Sequence, residues 1–262
     1  MTCFNEEEYI FESVNSVLSS NFTEFELVII DDGSTDSSPS IISAMSQIDS
    51  RIRIFRNEQN LGVASSKNFG LKLCQGDLIA MMDADDICLP DRFIRQIVFM
   101  EANPTVVISG GAMYLMSEGS PALKPAVTNN LQKQLMLQNI FNHPTIILRR
   151  ELMESGDFKY SPRFKHTEDY RLWTKLAYKV KMENLENPLI YFRANKAASK
   201  SNSAKAPIRR EIEIVLIRLL FLGKLIIIRK CQPTDIRHFF ATIVRSSVPS
   251  IVRSIYIRRR GG

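Results

Sequence analysis

The chain has 262 residues, of which 45% are hydrophobic, 24% charged and 9% aromatic. This composition is too apolar for a disordered chain, and 11 Gly and 11 Pro are too few for a fibrous one. The length predicts one large domain, with or without an appendage. The cysteines form no C-x-x-C pair, which disfavours a zinc site or a disulfide scaffold and predicts reduced thiols at Cys3, Cys74, Cys88 and Cys231.

The net charge of +6 is unevenly distributed along the chain. Residues 1–194 carry 19 Lys/Arg and 25 Asp/Glu, a balance of −6, whereas residues 195–262 carry 15 Lys/Arg and 3 Asp/Glu, a balance of +12. We predict a domain over 1–194, a linker or mobile loop over 195–207 and a basic amphipathic helical tail over 208–262. The tail's charge and interrupted apolar pattern favour a helix on an anionic membrane surface over a spanning helix. The alternative is a solvated appendage.

Strand-like and helix-like segments alternate through the first half of the chain. In order, the patterns predict helix 9–18, strand 26–30, helix 37–45, strand 52–55, helix 60–73, strand 78–82, helix 90–100, strand 106–109, helix 131–139, strand 145–148 and helix 169–178. Residues 117–130 are rich in Ser, Gly, Pro and Asn and predict a loop. This alternation predicts an α/β fold with a mostly parallel central sheet and helices on both faces.

Two of the apolar strands end in acidic clusters, Asp31 to Asp36 and Asp83 to Asp86. In open parallel sheets, ligands bind beyond the carboxyl ends of the strands. Carboxylates two residues apart, such as Asp83 and Asp85, suit one hard cation together with substrate phosphates, although a solvated acidic turn is the alternative. In the first cluster, an aspartate either accepts hydrogen bonds from a nucleobase or ribose or caps the next helix.

Other candidate groups carry weaker signals. Glu168 and Asp169 precede a predicted helix, where a carboxylate serves as a general base or as a helix cap; spacing alone favours the cap. The histidines are not clustered, which disfavours a histidine metal site, and His143 before Pro144 is interpreted as structural rather than pocket-lining. The sequence has no glycine-rich phosphate loop and no Ser/His/Asp set, which disfavours P-loop enzymes and hydrolases.

Taken together, short motifs across about residues 1–193 resemble the family 2 glycosyltransferases. They are Cys3-Phe4-Asn5-Glu6, Val28 to Asp36, Asn60-Leu61-Gly62, Lys67-Asn68, Gly76-Asp77, Asp83 to Asp86 with Pro90-Asp91-Arg92, and Glu168-Asp169. The resemblance implies a GT-A nucleotide-diphosphosugar transferase fold, a UDP-sugar donor, a divalent cation (Mn or Mg) and inversion at the anomeric carbon. It also implies transfer of single hexoses to a glycan or lipid-linked acceptor in cell-envelope polysaccharide, lipopolysaccharide or glycolipid synthesis.

The resemblance also implies roles for individual residues. Thr2, Phe4, Asn5 and Glu6 would surround the nucleotide, Asp32 would recognise the base, and Lys67 would lie near the nucleotide. Asp83 would lie near the ribose, Asp85 and Asp83 would form the metal site, and Asp169 would be the catalytic base. The implied location is cytoplasmic, at the inner face of the cell membrane. Nucleic acid is a disfavoured partner because the tail lacks the interleaved aromatic residues of a stacking platform.

The pattern departs from the family at two places. Family members open with a complete hydrophobic strand before the Cys-Phe-Asn-Glu position, so we expect Met1 to be an internal methionine of a longer reading frame. A Gln-x-x-Arg-Trp motif is missing, which disfavours a processive synthase. Two alternatives stay open: a degenerate, non-catalytic sugar-nucleotide binder, and a receiver-like Mg-binding signalling module.

Overall fold

A computed structural model describes residues 1–116, 120–193 and 206–227, with side chains over 209–224 in the last segment. The elements are β1 (Thr2–Cys3), α1 (Ile10–Leu18), β2 (Leu27–Asp31), α2 (Ser38–Ile48), β3 (Ile52–Arg56), α3 (Val63–Leu73), β4 (Leu78–Ala80), β5 (Ile87–Cys88), α4 (Arg92–Ala102), β6 (Val106–Met116), β7 (Ala122–Lys124), α5 (Leu131–Leu137), a 3₁₀ turn (His143–Thr145), β8 (Ile147–Arg149), α6 (Glu151–Glu154), α7 (Glu168–Leu176), β9 (Lys181–Arg193) and α8 (Ala206–Ile227).

The first sheet joins β1, β2 and β3 in parallel, with Thr2 opposite Ile30 in the register. Every residue of β2 is buried, as expected for an apolar strand covered on both faces. Helix α1 buries Ile10, Val14 and Val17, whose spacing of three and four residues forms one apolar stripe against this sheet. The carboxyl ends of the three strands therefore meet at one edge, where the first acidic cluster lies.

The second sheet has the order β4-β8-β6-β9-β5, with β7 beside β6. Strand β6 runs parallel to β9 but antiparallel to β7 and β8, and β4–β8 and β5–β9 are also antiparallel. Parallel pairing is thus found in the first sheet and between β6 and β9, and the complete sheet system is mixed. An isolated parallel bridge between Thr2 and Asp83 joins the two sheets, which brings the ends of β1 and β4 together.

The patterns missed several elements in the second half. The 13-residue strand β9 was not predicted, because Glu, Asn and Pro188 interrupt its apolar alternation. Its pairing with β6 is irregular at the same place, since the register shifts between Gly111 and Ala112, which lies opposite Pro188. Strand β7 lies inside the predicted loop 117–130, and a 3₁₀ turn occupies the start of predicted strand 145–148.

Strand β1 is short and is held from its first residue. The Met1 ammonium donates to the Val28 carbonyl at 2.8 Å, and the Met1 carbonyl accepts from the Ile30 amide at 3.0 Å. A cavity of about 390 Å³, lined in part by Met1, lies between β2 and β4, and its walls are mainly apolar (Leu27, Val28, Leu78, Ala80, Phe93, Ile97).

Helix α8 packs directly on the domain. Ile217, Phe221 and Leu222 join the core cluster that also contains side chains of α5 and α7. This part of the predicted tail is therefore in contact with the core. The helix begins at Ala206, within the predicted linker 195–207, and the rest of the predicted linker and tail, 195–205 and 228–262, lies outside the described residues. Within the described part of the chain, no helix has the length and apolarity needed to cross a membrane.

Cys3, Cys74 and Cys88 are free thiols, and Cys231 lies outside the described residues.

Candidate active site

The loops that follow β1 and β2 interlock at the edge of the first sheet. Asn5 adopts the left-handed conformation with φ of 55°. Its amide donates to Ser34 Oγ at 3.0 Å, and its side-chain oxygen accepts from the Thr35 amide at 2.9 Å. The Glu6 amide donates to Ser38 Oγ at 2.9 Å. These bonds place the predicted nucleotide-binding segment, Thr2 to Glu6, at the carboxyl ends of the strands, with Phe4 41% exposed.

Asp32 is buried, and its carboxylate is occupied by donors of this chain. Oδ1 accepts from Asn57 Nδ2 at 2.8 Å and from the Leu61 amide at 2.9 Å, and Oδ2 accepts from the Gly62 amide at 2.9 Å. Asp32 therefore fixes the loop that leads into α3. Base recognition by Asp32 stays a prediction, and Asn57, which sequence reasoning missed, also donates to Ser66 beside Lys67.

Lys67 of α3 is the centre of a buried polar cluster. Its Nζ lies 3.5 Å from Asp83 Oδ1 and 3.3 Å from His143 Nδ1. The other ring nitrogen of His143, Nε2, lies 2.8 Å from the Tyr160 hydroxyl. Because an ammonium only donates, His143 Nδ1 must accept from Lys67, which leaves Nε2–H to donate to Tyr160. His143 therefore holds Lys67, a residue of the predicted site, and its interpretation as structural rather than pocket-lining stays a prediction.

The electrostatics of this cluster favour an ionised aspartate beside a neutral histidine. Burial, and after it the nearby positive charge of Lys67, lower the pKa of His143 to about 3. For Asp83, burial alone would raise the pKa, but Lys67 and other positive neighbours outweigh burial and hold it below its ordinary value. One wall of the pocket is therefore a fixed Lys67–Asp83 ion pair.

The acidic turn from Asp83 to Asp86 is fixed by the end of β9. Arg193 donates from Nε to the Asp85 carbonyl at 2.7 Å and from its amide to Asp86 Oδ1 at 3.1 Å. Asp86 is fully buried, and burial, followed by repulsion from Asp83 and Asp85, raises its pKa to about 8. Sequence patterns gave no signal for Arg193, because β9 itself was not predicted.

Glu168 and Asp169 are the first two residues of α7. Asp169 accepts from Asn139 Nδ2 at 2.7 Å through Oδ2 and from the Tyr170 amide at 2.6 Å through Oδ1. Burial raises the pKa of Asp169 and raises that of Glu168 to about 7. The charge of Lys67 lowers the pKa of Asp169, and that of Asp83 raises it. The rings of His143 and Trp173, which lies one turn after Asp169 in α7, are 6.3 Å apart, so α7 packs beside the cluster of Lys67, Asp83 and His143.

The donor set at this pocket fits a cation that relies on its substrate for ligands. Among residues 1–116, 120–193 and 206–227, no group of three or more His, Cys, Asp and Glu side chains suits a metal ion. Mg²⁺ typically uses one or two protein carboxylates together with substrate phosphates and water. Asp83 and Asp85, which follow β4 two residues apart, are carboxylates of that kind and number, and metal binding by them stays a prediction.

Relatives of this chain are glycosyltransferases. The chain is 30% identical over 215 residues to the UDP-Glc:alpha-D-GlcNAc-diphosphoundecaprenol beta-1,3-glucosyltransferase WfaP of Escherichia coli, which covers 80% of this chain and 82% of WfaP. It is 28% identical over 226 residues to the amylovoran biosynthesis glycosyltransferase AmsE of Erwinia amylovora, with 84% of each protein covered.

Structural similarity gives the fold. The mannosyltransferase PcManGT from Pyrobaculum calidifontis, solved in complex with GDP-Man and Mn²⁺, is similar over 100% of this chain and 74% of its own, with a TM-score of 0.66 and 17% identity. The order of elements and the strand-end site are those of a GT-A fold. Residues 1–184 match the family model for Glycosyl transferase family 2, which leaves no place for a receiver-like module. The chain belongs to glycosyl transferase family 2.

Proposed function

We propose that the chain is an inverting glycosyltransferase that transfers a single hexose from a nucleoside-diphosphate sugar to an acceptor hydroxyl. The proposed donor is a UDP-sugar. The observation that carries the proposal is the Lys67–Asp83 ion pair beside α7, where His143, which is bonded to Lys67, packs against Trp173, one turn after Asp169. The arrangement combines a carboxylate pair suited to a cation, a fixed positive charge, and a separate carboxylate, Asp169, whose pKa is raised by burial.

The donor side of the pocket would hold the diphosphate. We propose that Asp85 and Asp83 hold Mn²⁺ or Mg²⁺, which when bound neutralises negative charge on the leaving diphosphate. Lys67, fixed between Asp83 and His143, adds a positive charge at the same wall. Thr2, Phe4, Asn5 and Glu6 would line the nucleotide. We propose that Asp32 contributes by holding the loop at Leu61 and Gly62 beside the base.

Asp169 would act as the general base. A carboxylate removes the proton of an attacking hydroxyl best when its pKa lies closer to the working pH, and burial moves Asp169 in that direction. Asn139 fixes Oδ2 by a hydrogen bond at 2.7 Å and so orients the carboxylate. Attack from the Asp169 side while the diphosphate leaves from the cation side inverts the anomeric carbon in one displacement.

The relatives suggest the substrate classes. WfaP is named for a UDP-Glc donor and a diphosphoundecaprenol-linked acceptor, and AmsE for synthesis of an exopolysaccharide. We therefore propose a role in cell-envelope polysaccharide, lipopolysaccharide or glycolipid synthesis, with a glycan or lipid-linked acceptor. PcManGT was solved with GDP-Man, so GDP-sugars belong in the test as competitors.

We further propose that the enzyme works in the cytoplasm, on the inner face of the cell membrane. Helix α8 turns a stripe of apolar side chains to solvent (Ile212, Leu216, Leu219, Leu220), each 45% exposed or more. The +12 balance of residues 195–262 complements anionic headgroups. Sedimentation with phosphatidylglycerol vesicles should capture the protein, and sedimentation with phosphatidylcholine vesicles should not. Equal partition between the two would contradict this location.

Release of the nucleoside diphosphate from a panel of UDP- and GDP-sugars, with Mn²⁺, tests the proposed function. We expect one or a few UDP-hexoses to be turned over by the natural chain and Asp169→Asn to lose that turnover. The second candidate, a non-catalytic sugar-nucleotide binder, predicts metal-dependent thermal stabilisation by the same donors without release.

A further inference from the structure

We propose that helix α8 is a positioning element for the catalytic base, acting through two buried and oppositely charged residues, Glu213 and Arg218. The inference rests on the proposed function, since it assigns Asp169 as the base. Glu213 contacts the start of α7, which carries Asp169, and Arg218 contacts the end of α5, which precedes Asn139.

Glu213 holds the start of α7. Its Oε2 accepts from the Thr167 hydroxyl at 2.9 Å and from the His166 amide at 3.3 Å. Thr167 is the residue just before α7, where a threonine hydroxyl ordinarily accepts a bond from the first turn of its own helix. Here the hydroxyl donates to another helix instead. The buried carboxylate of Glu213 thus lies at the positive end of α7, next to Glu168 and Asp169.

Arg218 holds the end of α5. Its guanidinium donates to the carbonyl of Leu137, the last residue of that helix, and the side chain is buried. A positive group at a helix carboxyl end satisfies an otherwise open carbonyl and complements the helix dipole. Asn139, which donates to Asp169, lies two residues beyond this end.

The two contacts act on both partners of one hydrogen bond. Asn139 follows α5 and Asp169 begins α7, and a third element, α8, contacts the adjoining ends of both helices. Glu213 of α8 is complementary in charge to the amino end of α7, and Arg218, five residues later, is complementary to the carboxyl end of α5. A small displacement of either end lengthens the 2.7 Å bond that orients the base. Misplacement of a reacting group by about 1 Å costs on the order of 100-fold in rate.

The test is Glu213→Gln in the full chain, with Glu211→Gln as a matched control two residues earlier on the same helix. With the UDP-sugar that the natural chain uses, we expect Glu213→Gln to lower kcat about 10- to 100-fold. The donor KM and the affinity for UDP with Mn²⁺, measured by calorimetry, should stay at natural values. Amide exchange should increase in the peptide 166–176, which contains the start of α7. Glu211→Gln should change none of these quantities.

A second variant approaches the contact from the other side. Thr167→Val keeps the side-chain volume but removes the hydrogen bond that Thr167 donates to Glu213, so it should reproduce both the kcat loss and the faster exchange. Thr167→Ser keeps the hydroxyl, so its kcat and its exchange rate should equal those of the natural chain. An unchanged kcat in Glu213→Gln and Thr167→Val would overturn the inference, and so would equal losses of kcat and UDP affinity. If the natural chain turns over none of the donors, the proposed function fails, and this inference fails with it.

Discussion

The side of the site that we propose to bind the donor (the donor wall) and the side that we propose to supply the base (the base wall) are built in different ways. On the donor wall, loops at strand ends bond to one another through short side chains, as Asn5 does with Ser34 and Thr35. On the base wall, Asp169 depends on Asn139 beyond α5, and the start of α7 depends on Glu213 of α8. The first wall is thus fixed by strand order and the second by packing between helices. Changes on the two walls should therefore separate donor binding from chemistry.

The largest difference between loss of rate and loss of donor affinity is expected from Asp169→Asn. The substitution keeps the size of the side chain but removes the proton acceptor, and general-base assistance is typically worth about 10²–10⁴-fold. We expect kcat to fall by that factor, while calorimetry shows natural affinity for UDP with Mn²⁺. Asp157→Asn, the same change at a surface residue paired with Lys179, is the control. Comparable losses of rate and of donor affinity would contradict the division into two walls.

The opposite result, a loss of donor affinity, is expected from Asp85→Ala. Even an outer partner of a metal ligand is typically worth 10- to 100-fold in metal affinity, so we expect Mn²⁺-dependent UDP binding to weaken more than about 10-fold. Calorimetry with and without Mn²⁺ measures the effect, and Asp157→Ala is the surface control. Mn²⁺-dependent UDP binding that is equally strong in Asp85→Ala and the natural chain would show that Asp85 holds no cation.

The same division explains what the sequence could predict. The first sheet and the strand-end clusters follow from local patterns, because the apolar runs of β2 and β4 and the polar residues after them are contiguous. The GT-A fold was predicted from the resemblance to a family and not from these patterns. Asp169 was predicted from its motif, but its partners were not. Asn139, Tyr160 and Glu213 reach the site through contacts across 30, 17 and 46 residues, and no local periodicity reports such contacts.

The interrupted strand β9 shows a second limit. Its pairing with β6 tolerates Pro188 and a shifted register, so burial rather than intrinsic preference decides its conformation. Arg193, which fixes the acidic turn, was missed for that reason. Asp32 is the converse case: its motif was identified, and the structure adds a loop-holding role that the motif alone did not indicate.

A pH profile sharpens the description of the base wall. The Asn139 bond favours the ionised form of Asp169, so Asn139→Ala should raise the pKa of Asp169 beyond the increase that burial already causes. Since the base must be deprotonated to act, the acid limb of the kcat profile should move to higher pH. Gln138→Ala, at the exposed neighbour, should leave the limb where it is. A limb that stays in place in Asn139→Ala would mean that Asp169 does not control it.

The smallest effect, a change in melting temperature, is expected from filling the cavity between β2 and β4. Four added apolar residues before Met1 would extend β1 into this cavity and pair with both strand edges, whereas a Gly/Ser addition of equal length would bury less surface. We expect the apolar addition to raise the melting temperature by about 2–4 °C for each kcal/mol gained. Identical melting of the two extended proteins would show that the cavity does not accept a strand.

A crystal structure with Mn²⁺ and UDP, with data collected at the manganese absorption edge, tests the central claim most directly. We expect one anomalous peak within coordination distance of the Asp85 carboxylate, bridged to the diphosphate, with Asp169 facing the sugar end of the nucleotide across the same pocket. A peak at another place, or a nucleotide from which Asp169 points away, would contradict the account.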